Sequence, residues 1–197
     1  MNKSNSSLPP SYFEQMYQDN PDPWDFETSD YEAQKYQTTI NSLPQTRYRN
    51  ALEIGGSIGV LTALLAQRCD SLLSIDVSQT AQTKAIARCQ DLNLSQVRFK
   101  IAQVPQDYPD EMFDLTLVSE VGYYLSWNDL KKTQQLILEH LEVGGHLLLV
   151  HWTLFAKDYP LTGDEVHNSF LQLPDTELKH LKGLRQERYR LDLFERI

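Results

Sequence analysis

Cysteine is scarce in this sequence of 197 residues, which contains only Cys69 and Cys89. Neither belongs to a CxxC pair or has a histidine partner at metal-ligand spacing, so a disulfide framework and a thiolate metal site are both excluded. Each lies in a helix-like segment, where cysteine behaves as a small buried hydrophobe. Histidine is thin too. His140, His146, His151, His167 and His180 form no HxxxH or HExxH pattern, and His146 and His151 fall on opposite faces of a strand. The expectation is no protein metal site. No apolar run approaches the roughly 18–20 residues that cross a bilayer. The polar start MNKSNSSLPPSYF is not read as a secretory signal, so the cytoplasm, away from membranes, is the expected address. Positive charge is also in deficit. A net charge of −9 argues against a nucleic-acid backbone as partner and is compatible with a neutral or cationic substrate.

What is present suits one globular domain, with 41% hydrophobic and 23% charged residues. Residues 1–10 read as a disordered tail and 11–197 as a single domain. The segment 11–42 is rich in aromatics and acids and broken by Pro21 and Pro23. It reads as a helical lid, with helices over Ser11–Gln18 and Asp30–Ser42 joined by a stiff Pro-Asp-Pro-Trp turn. Apolar runs at Ala51–Ile54, Leu72–Ile75, Val97–Ile101, Leu115–Val118 and His146–Val150 alternate with helical patterns at Val60–Arg68, Thr80–Leu92 and Leu130–His140. That alternation implies βαβ units and a parallel sheet with strands buried on both faces. A helix over 163–173 and two short strands, Leu181–Gln186 and Tyr189–Ile197, close the chain. So little sequence separates those strands that they must be antiparallel. The predicted fold class is therefore α/β, a doubly wound, mostly parallel seven-stranded sheet with an antiparallel C-terminal hairpin.

The sharpest local signal is ALEIGGSIGVLT, Ala51 to Thr62. A strand ends at Ile54, three glycines follow within five residues, and a helix opens near Val60. Gly55 and Gly56 allow a tight turn and close ligand approach, and Gly59 allows the new helix to pack closely on the sheet with its N–H groups toward a ligand. The dinucleotide fingerprint GxGxxG fails in both registers: Gly55-Ser57-Val60 and Gly56-Ile58-Leu61. The loop reads Glu53-x-Gly55-x-Ser57-x-Gly59, which resembles the first motif of class I S-adenosylmethionine methyltransferases. Asp76, 23 residues after Glu53 at the tip of the second strand with Val77 beside it, should emerge next to the loop. Ligands of open α/β sheets bind at that edge. A carboxylate there can accept both ribose hydroxyls of an adenosine; Ser78 is free to cap the following helix. The same resemblance puts Gln103 and Val104 near the adenine, Ser119 and Glu120 at cofactor and substrate contacts, and a Gly144-Gly145 turn before the fifth strand.

Several stretches together resemble a narrower family, the nodulation-factor N-methyltransferases (nodulation protein S). They are Asp22-Pro23-Trp24, Ser29-x-Tyr31-Glu32-x-x-Lys35-Tyr36, Leu52 to Gly59, Ser119-Glu120-Val121-x-Tyr123-Tyr124, His151-Trp152 and Gly163-Asp164-x-Val166-His167. Ser57 in place of glycine belongs to that pattern, while Gly56 departs from it. The resemblance implies S-adenosylmethionine as methyl donor, S-adenosylhomocysteine as product, and an amine of a deacetylated chitin-type oligosaccharide or small molecule as acceptor. Glu120 is the first candidate to hold the ammonium and take its proton, and His151 the second, as orienter or base. Trp24, Tyr31 and Tyr36 are candidate lid aromatics over a sulfonium or ammonium, and Asp164 and His167 could line the acceptor groove. Three other readings stay open at this stage: an O-methyltransferase, a non-catalytic cofactor-binding module, and a nucleotide-dependent oxidoreductase.

Overall fold

The computed structural model describes residues 6–197. The chain divides into two compact units, Pro9–Gln103 and Val104–Ile197 with the described residues before Pro9. No helix among the described residues is long and apolar enough to cross a membrane.

The first unit runs α1 (Pro10–Asp19), α2 (Asp30–Asn41), β1 (Ala51–Ile54), α3 (Val60–Ala66), β2 (Leu72–Asp76), α4 (Gln79–Asp91) and β3 (Val97–Ile101). Pro10 opens α1, where its missing N–H costs no hydrogen bond. Ser29 and Ser78 cap α2 and α4 by accepting from Glu32 N and Ala81 N. The strands lie side by side in the order β3-β2-β1 and are parallel, with Ala51 opposite Leu72 and Leu72 opposite Val97. β1 is buried throughout. β3 is not the doubly buried strand expected, because Arg98 and Lys100 put charge on one face of this outer strand. Both cysteines are buried. Cys89 is helical as expected, whereas Cys69 lies past α3, bridged to Tyr48.

The second unit runs β4 (Phe113–Ser119), a 3-10 turn at Gly122–Tyr124, α5 (Trp127–His140), β5 (Leu141–Trp152), α6 (Gly163–Leu171), β6 (Leu178–Arg185) and β7 (Tyr189–Arg196). Its strand order is β4-β5-β7-β6, parallel at β4/β5 and antiparallel at the two later pairs. Seven strands, mostly parallel with an antiparallel C-terminal hairpin, make up the expected fold class. Gly144-Gly145 does not precede β5 but interrupts it. Pairing jumps from Phe113–Leu141 to Leu115–His146, and Gly144 takes φ +78° to absorb the extra residues. α6 starts with a capping box in which Thr162 and Glu165 bond each other's backbone N–H.

The expected tail, 1–10, needs correction over its described part; residues 1–5 lie outside the described residues. Ser7 Oγ donates to Asp129 and accepts from Ser126 N, Leu8 N donates to Tyr124 O, and Pro10 already belongs to α1. Three hydrogen bonds hold this stretch in place.

Candidate functional site

In the first unit the chain leaves β1 through the predicted glycine turn. Gly55 and Gly56 both donate to Ile75 O, and Gly55, Ser57 and Gly59 take φ of +92°, +50° and +81°. Gly56 is needed for space, since a Cβ there would lie 2.0 Å from Ser74 Oγ. At Gly59 a Cβ would lie 2.8 Å from Ala85. The closeness that Gly59 permits is therefore to α4, where the sequence reading had placed it against the sheet.

Asp76 ends β2 half-buried, with Val77 half-buried after it. One carboxylate oxygen accepts from Ser57 N at 2.8 Å and the other from Ser78 N at 2.9 Å. Burial pushes its pKa up against those backbone hydrogen bonds. Each oxygen keeps a lone pair beyond its backbone partner, so the carboxylate is fixed in place and still able to accept two hydroxyls. Ser78 caps α4 as anticipated, which leaves Asp76 out of the capping role.

Two residues that the sequence reading did not assign to the site complete this corner. Tyr17, 4% exposed, bonds Ser57 Oγ through its hydroxyl, and burial pushes its pKa up. Glu14 accepts from Ser78 Oγ at 2.7 Å and from Thr80 Oγ1 at 2.6 Å. The Thr80 hydroxyl above all, then Ser78, draws the Glu14 pKa down to about 2. Their spacing is the signal that was available: i and i+3 share one helix face. Ser57 thus replaces a loop glycine while serving as the partner of Tyr17.

Glu53 is placed differently from the expectation of a cofactor contact. It is fully buried, with one oxygen accepting from Thr62 Oγ1 at 2.6 Å and Ser74 Oγ at 2.7 Å, so it braces the loop from beneath. Burial raises its pKa to about 7. Trp24 stacks on Phe26 at 5.4 Å, meets Tyr17 edge-on at 5.8 Å, and packs on the cluster of Tyr17, Ile58 and Ala81. Tyr31 offers one ring face to Lys35 of its own helix, 5.5 Å away, and Tyr36 is core. Gln103, half-buried, closes the first unit.

In the second unit Val104 and Ser119 are buried, and Glu120 follows β4 half-buried with φ +56°. Its Oε2 accepts from Tyr123 OH at 2.6 Å and Trp152 N at 2.8 Å, so the end of β5 and the 3-10 turn both orient this carboxylate. His151 is fully buried and its Nε2 accepts from Gly122 N at 3.0 Å. A histidine whose lone pair already holds a backbone N–H is not available as a base, which corrects that part of its expected role. Its other nitrogen meets His167, also fully buried and not on a surface face. Asp164 pairs with Arg185 and Arg190.

The glycine turn after β1, the acid at the tip of β2 and the C-terminal hairpin are the features of the Rossmann-like methyltransferase fold. A family model described as nodulation protein S (NodS) matches residues 14–149, and the chain belongs to that family. Nodulation protein S of Rhizobium tropici is 33% identical over 131 residues, 64% of this chain and 53% of that relative. This chain spans about half the length of the curated relatives it matches. Among solved structures, the N-methyltransferase NodS of Bradyrhizobium japonicum WM9 in complex with S-adenosyl-L-homocysteine superposes with a TM-score of 0.81 at 24% identity, covering 95% of this chain and 98% of that one. A provisionally assigned methyltransferase of Pseudomonas syringae gives 0.72 at 33% identity, over 84% and 99%.

Proposed function

We propose that this chain is an S-adenosylmethionine-dependent methyltransferase, working as one domain, that N-methylates an amine of a small molecule or amino sugar. The observation that carries the reading is the fixed Asp76 carboxylate beside a loop with three alternate left-handed positions at 55, 57 and 59. A rigid paired acceptor at the end of a parallel strand suits a ribose diol, and the dinucleotide fingerprint is missing from the loop. The relatives named as N-methyltransferases support the same reading.

The cofactor supplies an activated methyl on a sulfonium, so the protein's share is alignment, exclusion of water and handling of one proton. Gly55, Gly56, Ser57 and Gly59 would seat the amino-acid end, Asp76 and Val77 the ribose, and Gln103 and Val104 the adenine; Ser119 is a further proposed cofactor contact. Glu53 acts by bracing the loop. Trp24 and Tyr31 exclude water. An alkyl amine has a pKa of about 10 and arrives protonated. Glu120 captures that ammonium and takes its proton, and His151 acts as an orienting residue. The reading places the protein in the cytoplasm without a membrane or nucleic-acid partner, and the net charge of −9 weighs against the latter.

Calorimetric titration with S-adenosylmethionine and with NAD tests the cofactor; binding of NAD alone would overturn the reading. Mass-spectrometric methyl transfer over glucosamine, chitosan oligosaccharides and phosphoethanolamine tests the acceptor. Turnover on an amine is expected to fall by roughly 10²–10⁴-fold in Glu120→Gln, with cofactor affinity little changed. Near-normal turnover in that variant removes Glu120 from the mechanism, and methylation only of hydroxyls removes the amine.

A further inference from the structure

In the second unit a line of buried side chains runs inward from β6 and β7 to the turn that follows β4. Asp192 on β7 is 1% exposed, and His167 on α6 and His151 on β5 are not exposed at all. Asp192 Oδ2 lies 2.6 Å from His167 Nδ1, His167 Nε2 lies 3.0 Å from His151 Nδ1, and His151 Nε2 accepts from Gly122 N at 3.0 Å.

The last contact sets the proton on every ring. A backbone N–H can only donate, so His151 Nε2 is bare and its proton sits on Nδ1. His151 therefore donates to His167 Nε2, which leaves the His167 proton on Nδ1, where Asp192 accepts it. Burial holds the His167 pKa below its ordinary value, in keeping with a neutral ring. Arg190 Nε, at 2.7 Å, and His180 Nε2, at 2.7 Å, also donate to Asp192, so its charge is met at the outer end.

The surroundings leave room for this line and little else. A Cβ on Gly122 would lie 3.0 Å from His151 Nε2 and 2.6 Å from Val166, and a Cβ on Gly183 would lie 2.9 Å from Asp192 Oδ1. Gly122 is also the first residue of the 3-10 turn that carries Tyr123, and the Tyr123 hydroxyl bonds Glu120 Oε2.

We propose that His167 and Asp192 are positioning residues for the methyl acceptor: they fix the tautomer of His151, His151 holds the turn at Gly122, and the turn sets Tyr123 against the Glu120 carboxylate. The inference rests on the reading of Glu120 given under Proposed function. It excludes His151 from proton transfer and gives a purpose to the Gly-Asp-x-Val-His stretch that a groove lining would not.

The first test uses the unaltered protein. Nitrogen-15 correlation spectra of its histidine rings should show His151 and His167 both neutral at neutral pH, each with the proton on Nδ1. A proton on Nε2 of either ring, or a charged ring, overturns the proposal. The second test compares His167→Leu with His167→Gln, whose amide oxygen can still accept from His151 Nδ1. On the amine turned over fastest in the panel above, the leucine variant should lose about 10²-fold in kcat, the size of effect a small displacement of a reacting group produces. The S-adenosylmethionine Kd should stay unchanged, and the glutamine variant should recover most of the loss. Equal loss in both variants, or loss in neither, overturns positioning. Should the leucine variant fail to fold, the ring spectra and the glutamine variant, which is expected to keep most of the unaltered kcat, still decide it. Undiminished turnover in Glu120→Gln, with the ring tautomers as expected, identifies a failure of the acceptor reading instead.

Discussion

Replacing Glu53 with glutamine separates the charge of this buried carboxyl from its shape. One oxygen accepts from Thr62 and Ser74, while Oε1 has no partner among the described residues. Burial raises the pKa from an ordinary 4.5 to about 7. A folded-state pKa above the unfolded one means that the group's contribution to stability is whole below pH 4.5 and is lost as pH rises through about 7. At 1.36 kcal/mol per unit, the loss amounts to about 3 kcal/mol on the alkaline side. Glutamine offers the same acceptor to both hydroxyls, and its amide takes the place of an oxygen that is unpartnered when protonated as well. Urea unfolding at about pH 5 and about pH 8.5 should therefore find the two proteins close at the first and the variant more stable by about 3 kcal/mol at the second. For a chain of this length that corresponds to a difference of roughly 6–12 °C in Tm. An offset that is the same at both pH values, or an unaltered protein that gains stability as pH rises, would refute the argument.

Asp76→Ala should weaken S-adenosylmethionine binding by about 1–3 kcal/mol in calorimetry, because two ribose hydroxyls would lose their acceptor; an unchanged Kd would make Asp76 structural. Hydrogen exchange over residues 12–36 should slow when S-adenosylhomocysteine is added, as for a segment that closes over a ligand, and equal protection in both states would make it permanent core. Tyr17→Phe deletes the hydroxyl that meets Ser57, so exchange over α1 should quicken even without ligand and stability should fall by about 0.5–1.5 kcal/mol. Glu14 has its pKa lowered, so its contribution is present above about pH 4.5 and lost as pH falls toward 2; Glu14→Gln should destabilise the protein at neutral pH and cease to matter in strong acid.

The parallel strands and their helices were legible because doubly buried strands read as unbroken apolar runs, and β1 came out with its predicted bounds. β3 was over-read as buried, although Arg98 and Lys100 stood in it. The family resemblance makes Gly144-Gly145 read as a turn before the fifth strand; a long strand that absorbs them as an irregularity has no separate local signature. At the site, the loop and Asp76 could be read because strand, turn and acid are close in sequence. Tyr17 with Ser57 and Glu14 with Ser78 are 40 and 64 residues apart, so the helix face that Glu14 and Tyr17 share is legible while their partners are not. His151 was legible as a residue and not as a role, since its role depends on which nitrogen bears the proton. Its partners His167 and Asp192 sit on other elements, and the matched family region stops at residue 149, before all three.

The line from Asp192 to Gly122 has an electrostatic consequence apart from its geometry. With the proton positions proposed above, the two imidazoles point their N–H bonds the same way, toward Asp192, so their dipoles add along the line. The negative end of that summed dipole falls at His151 Nε2, against the turn that carries Tyr123, while the formal charge stays with Asp192, next to Arg190 and His180. The neighbourhood of Glu120 thereby gains negative potential without an additional buried ion, and oriented dipoles need no reorganisation when a cation arrives. A neutral amine would feel little of this field and an ammonium a good deal, so the same arrangement favours arrival of the protonated form.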